Sequence, residues 1–246
     1  MKLEKITPDR ESSRRRYEDA CATAHALDLI GERWAMLVVR ELMLGPRRFS
    51  DLRGALPGIS ANVLTQRLEG LEATGIVVRR ILPPPVKARV YELTPWGYEM
   101  EPIFQTMGRW AARSPHHDPS LPLSAVSLFM SMRTMIDCAR AEGFVGRFAF
   151  VIRGEVYLVR IREHDVRVQR DLRASADLAL EDAVIEGEPE AVAAVIYGGH
   201  ALGQMERAGA IRVSGDREKL ARCLSLFVLP PKVDAALEPR ESPDGA

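Results

Sequence analysis

The chain has 246 residues, which is long enough for two domains with cores of their own. Its 34 basic and 34 acidic residues cancel, yet residues 1–113 carry four more positive than negative charges and residues 114–246 carry the opposite excess. The sequence contains no apolar run of membrane-spanning length and no secretory signal. Three widely spaced cysteines form no metal-ligand cluster. We therefore expect a cytoplasmic protein with no membrane partner and no cofactor.

The first predicted elements are a polar N-terminal arm over residues 1–20 and a core helix over residues 28–44. The arm contains three consecutive arginines, residues 14–16, which are either solvated or directed toward DNA. The helix is predicted because apolar side chains recur there at helical spacing. These side chains are Leu27, Ile30, Trp34 and Leu37.

Residues 49–76 predict two helices joined by a tight turn at Pro57 and Gly58, which is the sequence pattern of a helix-turn-helix. Ser60 is a good N-cap for the second helix. The apolar stripe of that helix consists of Leu64, Leu68 and Leu71.

The opposite side of this second helix carries Asn62, Thr65 and Gln66. Asparagine and glutamine amides can donate and accept hydrogen bonds toward an adenine edge in the major groove. A short, capped helix with a polar and uncharged face is what base recognition needs. Double-stranded DNA is therefore the predicted partner.

Two strand-like runs follow, over residues 76–82 and 89–94, and a proline-rich segment between them, residues 83–88, is unsuited to pairing. Helix, turn, helix and a two-stranded ribbon is the winged-helix order, and basic side chains on the ribbon would contact phosphates. An intramolecular salt bridge is an equal alternative for Arg67. The predicted DNA contacts are Arg47, Ser50, Ser60, Asn62, Thr65, Gln66, Arg67, Arg79, Lys87 and Arg89.

Residues 21–110 resemble the HxlR-type family of bacterial winged-helix regulators. The resemblance rests on motifs that occur in the family's order, at Cys21 and residues 26–34, 40–52, 57–60, 64–68 and 91–95. It implies a transcriptional regulator, with repression favoured over activation, that binds its operator as a homodimer. The paired recognition helices of such a dimer enter successive major grooves.

Cys21 is a redox candidate because similar regulators often carry a cysteine at this position, some of which sense oxidants. The alternative is a small buried residue near the dimer contact. The neighbouring carboxylates of Glu18 and Asp19 are expected to raise the pKa of its thiol, which would weaken its reactivity.

The winged-helix domain is predicted to span residues 21–113 and to include the dimer contact. Thr94 caps its last helix and Pro95 occupies the first turn, where a missing N–H has no cost. The apolar face of this helix predicts a dimer seam. The face consists of Met100, Ile103, Phe104, Met107 and Trp110. Residues 114–122 are predicted to be a linker, in which His116 and His117 are solvated.

From Ser124 onward the pattern predicts an α+β layer. A methionine-rich helix is followed by strands over residues 147–153, 155–162, 165–170 and 176–181, two helices, a strand over residues 210–215 and a closing helix. The overall fold class is therefore α+β, with a winged helix-turn-helix followed by a sheet domain.

Residues 121–230 resemble the sterol carrier protein family in element order, mainly through residues 176–180, 190–197 and 211–227. The resemblance implies an apolar tunnel between the sheet and its helices. We predict a ligand-binding domain over residues 123–232 and a disordered tail over residues 233–246.

A small apolar ligand is the expected partner of this second domain. Its predicted contacts are Phe129, Met132, Met135, Ile136, Phe148, Phe150, Val159, Tyr197 and Met205. The same side chains can instead fill a core, which would make the domain a structural or protein-interaction module. Cys138 and Cys223 are predicted to be core residues. The sequence holds no catalytic constellation and no metal motif, so an enzyme is not expected.

Overall fold

The computed structural model describes residues 17–83, 87–172 and 176–233. Most of the predicted arm, with its three arginines, and most of the predicted tail lie outside these ranges. Within them, none of the helices combines the length and the apolar character that a membrane crossing requires.

The N-terminal half builds a small helical core that is flanked by a two-stranded ribbon. Its helices and strands are α1 (Ala22–Ile30), α2 (Ala35–Leu42), α3 (Phe49–Ala55), α4 (Ala61–Ala73), β1 (Val77–Ile81), β2 (Arg89–Leu93), α5 (Pro95–Tyr98) and α6 (Glu101–Ala112). This order is the predicted winged helix-turn-helix.

The second helix of the motif, α4, forms for the reasons that its sequence indicates. The Ser60 hydroxyl accepts a hydrogen bond from the Val63 N–H at 3.2 Å and so caps the first turn. The leucine stripe of the helix is buried in the core: Leu64, Leu68 and Leu71. Gly75 follows the helix with a φ of +74°, a conformation that glycine adopts without strain.

The single helix predicted over residues 28–44 is wrong, because the chain breaks it between Ile30 and Ala35. Trp34 stands there in the left-handed region, with a φ of +77°. The break shifts the helical phase, so Leu37 is exposed and Val38, Val39 and Leu42 face the core instead. Leu27 is also exposed, which leaves part of the predicted stripe on the surface.

The ribbon is antiparallel, with Val77 opposite Leu93 and Ile81 opposite Arg89. Arg47 adds an isolated bridge to its outer side through two backbone hydrogen bonds with Tyr91, at 2.9 and 2.8 Å. The Thr94 hydroxyl then accepts from the Gly97 N–H at 3.1 Å, which confirms Thr94 as a helix cap. The predicted single helix is divided, however, because the capped helix α5 ends at Tyr98 and the apolar face lies on α6.

The C-terminal half is a five-stranded sheet with helices packed on one face. Its elements are α7 (Ala125–Met135), α8 (Cys138–Ala141), β3 (Val145–Ile152), β4 (Glu155–Arg162), β5 (Asp165–Arg170), β6 (Ala183–Gly187), α9 (Pro189–Ile196), α10 (Leu202–Arg207), β7 (Ile211–Gly215) and α11 (Arg217–Leu224). The strand order is β5-β4-β3-β6-β7, in which β3 and β6 are parallel and the other pairs antiparallel.

One predicted strand is misplaced. Residues 176–181 contain a short 3-10 helix, Leu178–Leu180, because the Asp177 carboxylate accepts from the Ala179 N–H at 3.0 Å and closes a local turn. The strand itself is β6, which begins at Ala183, two residues after the end of the predicted strand. Ala183 and Ile185 alternate there toward the core.

Candidate nucleic-acid interface

The exposed side of α4 carries the three polar residues that the sequence assigns to base recognition. Asn62, Thr65 and Gln66 are all exposed, whereas the leucines on the opposite side are buried. The helix therefore presents a hydrogen-bonding surface to solvent while its apolar side anchors it. Ser60 is also exposed, but its hydroxyl is engaged in the helix cap.

Two arginines of the predicted set are held by intramolecular ion pairs. Arg67 pairs with Glu32 at 3.1 Å, which was one of its two predicted alternatives. Arg79 pairs with Glu72 at 2.8 Å, and its guanidinium lies 5.4 Å from the centre of the Tyr91 ring. Both residues order the surface around the motif.

Other predicted contacts remain accessible. Lys87 and Arg89 are exposed at the ribbon, and neither forms an ion pair with another described residue. Ser50, near the start of α3, is exposed and its hydroxyl donates to an Asp51 carboxylate oxygen at 3.1 Å. Residues 84–86 of the proline-rich segment lie outside the described ranges.

The assignment of Arg47 to DNA is wrong, because its side chain is only 7% exposed. Its guanidinium donates to both oxygens of Glu155, at 3.0 and 2.9 Å, and to the Tyr157 hydroxyl at 2.8 Å. Arg170 donates to the same carboxylate at 3.0 Å and to the Pro46 carbonyl. This arginine cluster joins the winged helix to the sheet of the second domain.

Burial and charge act in opposite directions within the cluster. Desolvation raises the pKa of the Glu155 carboxyl, but the Tyr157 hydrogen bond and the two arginines outweigh it and hold the pKa below its usual range. Burial raises the pKa of the Tyr157 phenol, so the phenol keeps its proton. Glu155 is therefore ionised and compensates the buried arginines.

Sequence reasoning missed two arginines near α3. Arg48 and Arg53 are exposed, and neither forms an ion pair with another described residue. Because residue 47 pairs with β2 as a strand would, successive side chains point to opposite sides, so Arg47 turns inward and Arg48 outward. No sequence pattern distinguishes the two adjacent arginines, because only the bridge to Tyr91 fixes which of them turns inward.

The predicted dimer seam lies only partly on the surface: Met100 is buried in the core and Phe104 is half-buried, whereas the other three residues are exposed. Trp110 is 76% exposed, and Ile103 and Met107 are each 46% exposed along the same side of α6. Leu27 on α1 is also exposed. Such a row of large apolar side chains is unusual on a monomer and is typical of a protein contact.

The predicted ligand contacts mostly form a packed core. Phe129, Met132, Phe148, Phe150 and Val159 have no exposed surface, and the Phe129 ring contacts Tyr157 at 4.5 Å between centroids. The space between the sheet and α7 is therefore filled, and the expected tunnel at this place is wrong. Ile136 and Met205 are half-buried and pack against the same core.

A cavity of about 670 Å³ lies on the other side of α7, between the two domains. We call it the junction cavity. Met135 and Tyr197 are the predicted ligand residues that line it. Its walls come from α2, α6, α7 and α9. Residues that line it include Met36, Phe104, Met107, Met130, Ser131 and Ala194. The predicted linker also contributes, because His117, Pro119 and Ser120 lie at its edge.

The cysteines differ from expectation in two ways. Cys21 is exposed at the N-cap of α1, where the nearby backbone N–H groups of Thr23 and Ala24 lower the pKa of its thiol, contrary to the predicted rise. Cys138 is exposed although a core position was predicted. Cys223 is buried as predicted, and burial raises the pKa of its thiol. The described residues include no cluster of three or more metal-ligating side chains.

Helix-turn-helix, ribbon and an exposed amide face on α4 together define a winged-helix DNA-binding protein. Residues 29–118 match the HxlR-like helix-turn-helix family. The chain is 42% identical over 87 residues to the HTH-type transcriptional regulator YodB of Bacillus subtilis, an alignment that covers 35% of this chain and 77% of YodB. It is 38% identical over 86 residues to the regulator YvaP of the same organism, covering 35% and 80%.

The chain belongs to the HxlR-like family, and it is a DNA-binding transcriptional regulator. Among solved structures, the reduced form of B. subtilis YodB is 35% identical to the chain. That comparison covers 41% of this chain and all of that one, with a TM-score of 0.36. The matched relatives correspond to the winged-helix half alone.

Proposed function

We propose that the protein is a homodimeric repressor that reads its operator through Asn62, Thr65 and Gln66 of α4. The single observation that carries this proposal is the exposure of all three polar side chains on a helix whose opposite side is buried. Amide side chains at this spacing suit adenine edges in the major groove.

Phosphate contacts are assigned to the accessible basic residues around this helix. Arg48, Arg53, Lys87 and Arg89 are exposed and unpaired with other described residues, so they can replace counterions on the DNA backbone without first breaking an ion pair. Arg67 and Arg79 would have to give up their carboxylate partners, so we give them a supporting role.

Selection from a pool of random duplexes tests this proposal. The wild-type protein is expected to enrich a two-fold symmetric sequence whose half-sites lie about 34 Å, or one helical turn, apart or at a multiple of that spacing. No enrichment, or enrichment of one asymmetric half-site, would contradict the proposal that a homodimer recognises the operator.

The dimer seam is tested with Trp110→Glu. A charge at this exposed apolar position is expected to give a monomer in sedimentation velocity and to weaken operator binding by at least about tenfold. Leu180→Glu is the matched control, because Leu180 is also strongly exposed but lies on the second domain. Equal sedimentation of both variants and the wild type would place the dimer contact elsewhere.

We also propose that residues 123–232 form a sterol carrier protein-like domain that makes the regulator responsive to a small apolar ligand. The order of helix, meander and crossover strand supports the family assignment. The arginine cluster supports a coupled response, since it ties this domain to the winged helix.

Oxidation of Cys21 is the second candidate for the signal. It is favoured by one observation, the exposed thiol with a lowered pKa at a helix start. The test is DNA affinity before and after peroxide treatment of the wild type and of Cys21→Ser. A change in the wild type alone would support a redox signal.

A further inference from the structure

We infer that the junction cavity is the ligand site of this regulator and that its ligand is an uncharged, largely apolar molecule with one hydroxyl group. The regulatory part of this inference rests on the proposed function, whereas the binding part stands on the cavity itself. The site is distinct from the sheet-facing tunnel that the sequence suggested, which is filled by Phe129, Phe148 and Phe150.

Size and lining indicate a small molecule. A volume of about 670 Å³ lies within the range that drug-sized ligands occupy, roughly 300–1,000 Å³. The apolar part of the lining is mainly methionine, alanine and leucine, most of it from four helices. Methionines adapt to irregular apolar shapes, which suits a ligand pocket more than a fixed protein contact.

Among the polar side chains of the lining, Ser127 bonds to Ser124 and Thr134 donates to the Met130 carbonyl. Ser131 and Tyr197 bond to each other, and their hydrogen bonds define what this pair can still bind. Ser131 donates to the Leu128 carbonyl at 2.7 Å, so its single hydrogen is used. The bond of 2.9 Å between Ser131 and Tyr197 must then be donated by the Tyr197 hydroxyl. Burial raises the pKa of Tyr197, so this phenol keeps its proton. The pair retains only acceptor lone pairs, which match a hydroxyl donor on the ligand.

Three of the titratable residues at the cavity, Arg40, Glu190 and His117, are already engaged by other groups. Arg40 pairs with Glu41 at 2.8 Å. Glu190 accepts from the Leu123 N–H at 2.9 Å and lies 3.5 Å from Arg153. His117 lies 3.4 Å from Lys232 near the exposed edge. His200, which also lines the cavity, is exposed to solvent, so the lining does not call for an ionic ligand.

A second copy of the chain is a less suitable occupant of the junction cavity than a small molecule. The reason is that α6 has two apolar rows on different sides. Ile103, Met107 and Trp110 form the exposed row that we assign to the dimer seam. Phe104, Gly108 and Ala111 form the row that faces the junction cavity. Met107 borders both, so a ligand in the cavity would touch a seam residue.

The position of the cavity connects ligand binding to DNA binding. One wall is α2, which packs directly on the recognition helix α4, and another is α6. A ligand that fits one arrangement of these helices better than another would shift the dimer between operator-competent and incompetent geometries.

Binding of 4-octylphenol and of its methyl ether, 4-octylanisole, to the full chain tests the site by calorimetry. The two probes share their apolar body, but only the phenol can donate a hydrogen bond. We expect the wild type to bind both and to prefer the phenol by about fivefold. The double variant Ser131→Ala/Tyr197→Phe, which removes both acceptors, is expected to abolish that preference while leaving affinity for the ether nearly unchanged.

Gly108→Leu is designed to fill the cavity. A Cβ added at position 108 meets nothing closer than Thr134 Cγ2 at 4.0 Å, and leucine is a better helix former than glycine, so we expect the fold to be retained. It should weaken both probes at least tenfold, whereas the control Gly108→Ala should leave binding nearly unchanged. Thermal unfolding of both variants verifies folding.

The outcomes separate the site from the proposed function. A wild type that selects an operator but binds neither probe overturns the site alone. Probe binding that Gly108→Leu does not affect also overturns it, as does a change of dimerisation instead of probe affinity in that variant. Probe binding that responds to Gly108→Leu, together with an operator affinity that the phenol changes in the wild type only, supports the site and its regulatory role.

Discussion

Helices α4 and α7 both combine apolar residues with small polar ones, yet their surroundings make them different. On α4 one side is buried and the other faces solvent, so the polar side is free to bind. On α7 one side packs on the sheet and the other lines the junction cavity. A helix with a single buried side shows its functional face in the sequence, whereas a helix covered on both sides does not.

The largest expected change in stability comes from truncating a side chain on the sheet-facing side of α7. Phe129→Ala removes a fully buried ring that packs on Phe150 and Tyr157, and it should lower the free energy of unfolding by about 3–5 kcal/mol. Thr65→Ala on the exposed side of α4 should change it by less than about 0.5 kcal/mol. Denaturant titration measures both, and similar losses would remove the contrast.

Two adjacent arginines extend the comparison. Arg47→Ala should lower the free energy of unfolding by about 2 kcal/mol, because it removes the hydrogen bonds to Glu155 and Tyr157, although partial exposure of Glu155 limits the loss. Arg48→Ala should leave stability within about 0.5 kcal/mol and reduce the salt dependence of DNA binding. An unstable Arg48→Ala and a stable Arg47→Ala would reverse our assignment.

The last comparison concerns the reactivity of two thiols, Cys21 of the winged helix and Cys223 of the second domain. The lowered pKa of Cys21 means that its thiolate forms at a lower pH than an ordinary cysteine thiolate, so alkylation by iodoacetamide should begin to accelerate below the usual pH. Cys223 is buried with a raised pKa and should react at least about 100-fold more slowly in the folded protein. Mass spectrometry of the alkylated peptides distinguishes the sites, and equal rates would contradict the burial of Cys223 and the exposure of Cys21.

The sequence was sufficient where local chemistry decides the structure. The Ser60 cap, the α4 leucines and the strands of the meander are local patterns, and all were predicted in the right places. Regulator function followed from those patterns together with the family resemblance.

The misses depend on contacts between distant residues. Arg47 is buried because it bonds to Glu155 and Tyr157. These two residues lie more than 100 positions away in the chain, so no local pattern connects them to Arg47. The ligand residues were misplaced because apolar residues on α7 serve either the sheet core or the junction cavity, and only the packing of α6 and α9 decides which. The first core helix failed because Trp34 adopts a left-handed conformation that its residue type does not favour.

Fluorescence anisotropy with a selected operator and a scrambled duplex tests the central claim most directly. If α4 reads bases, Asn62→Ala and Gln66→Ala should each weaken operator binding by about 1–3 kcal/mol and leave binding to the scrambled duplex unchanged. Equal losses on both duplexes, or no loss on either, would contradict base recognition by the exposed face of α4.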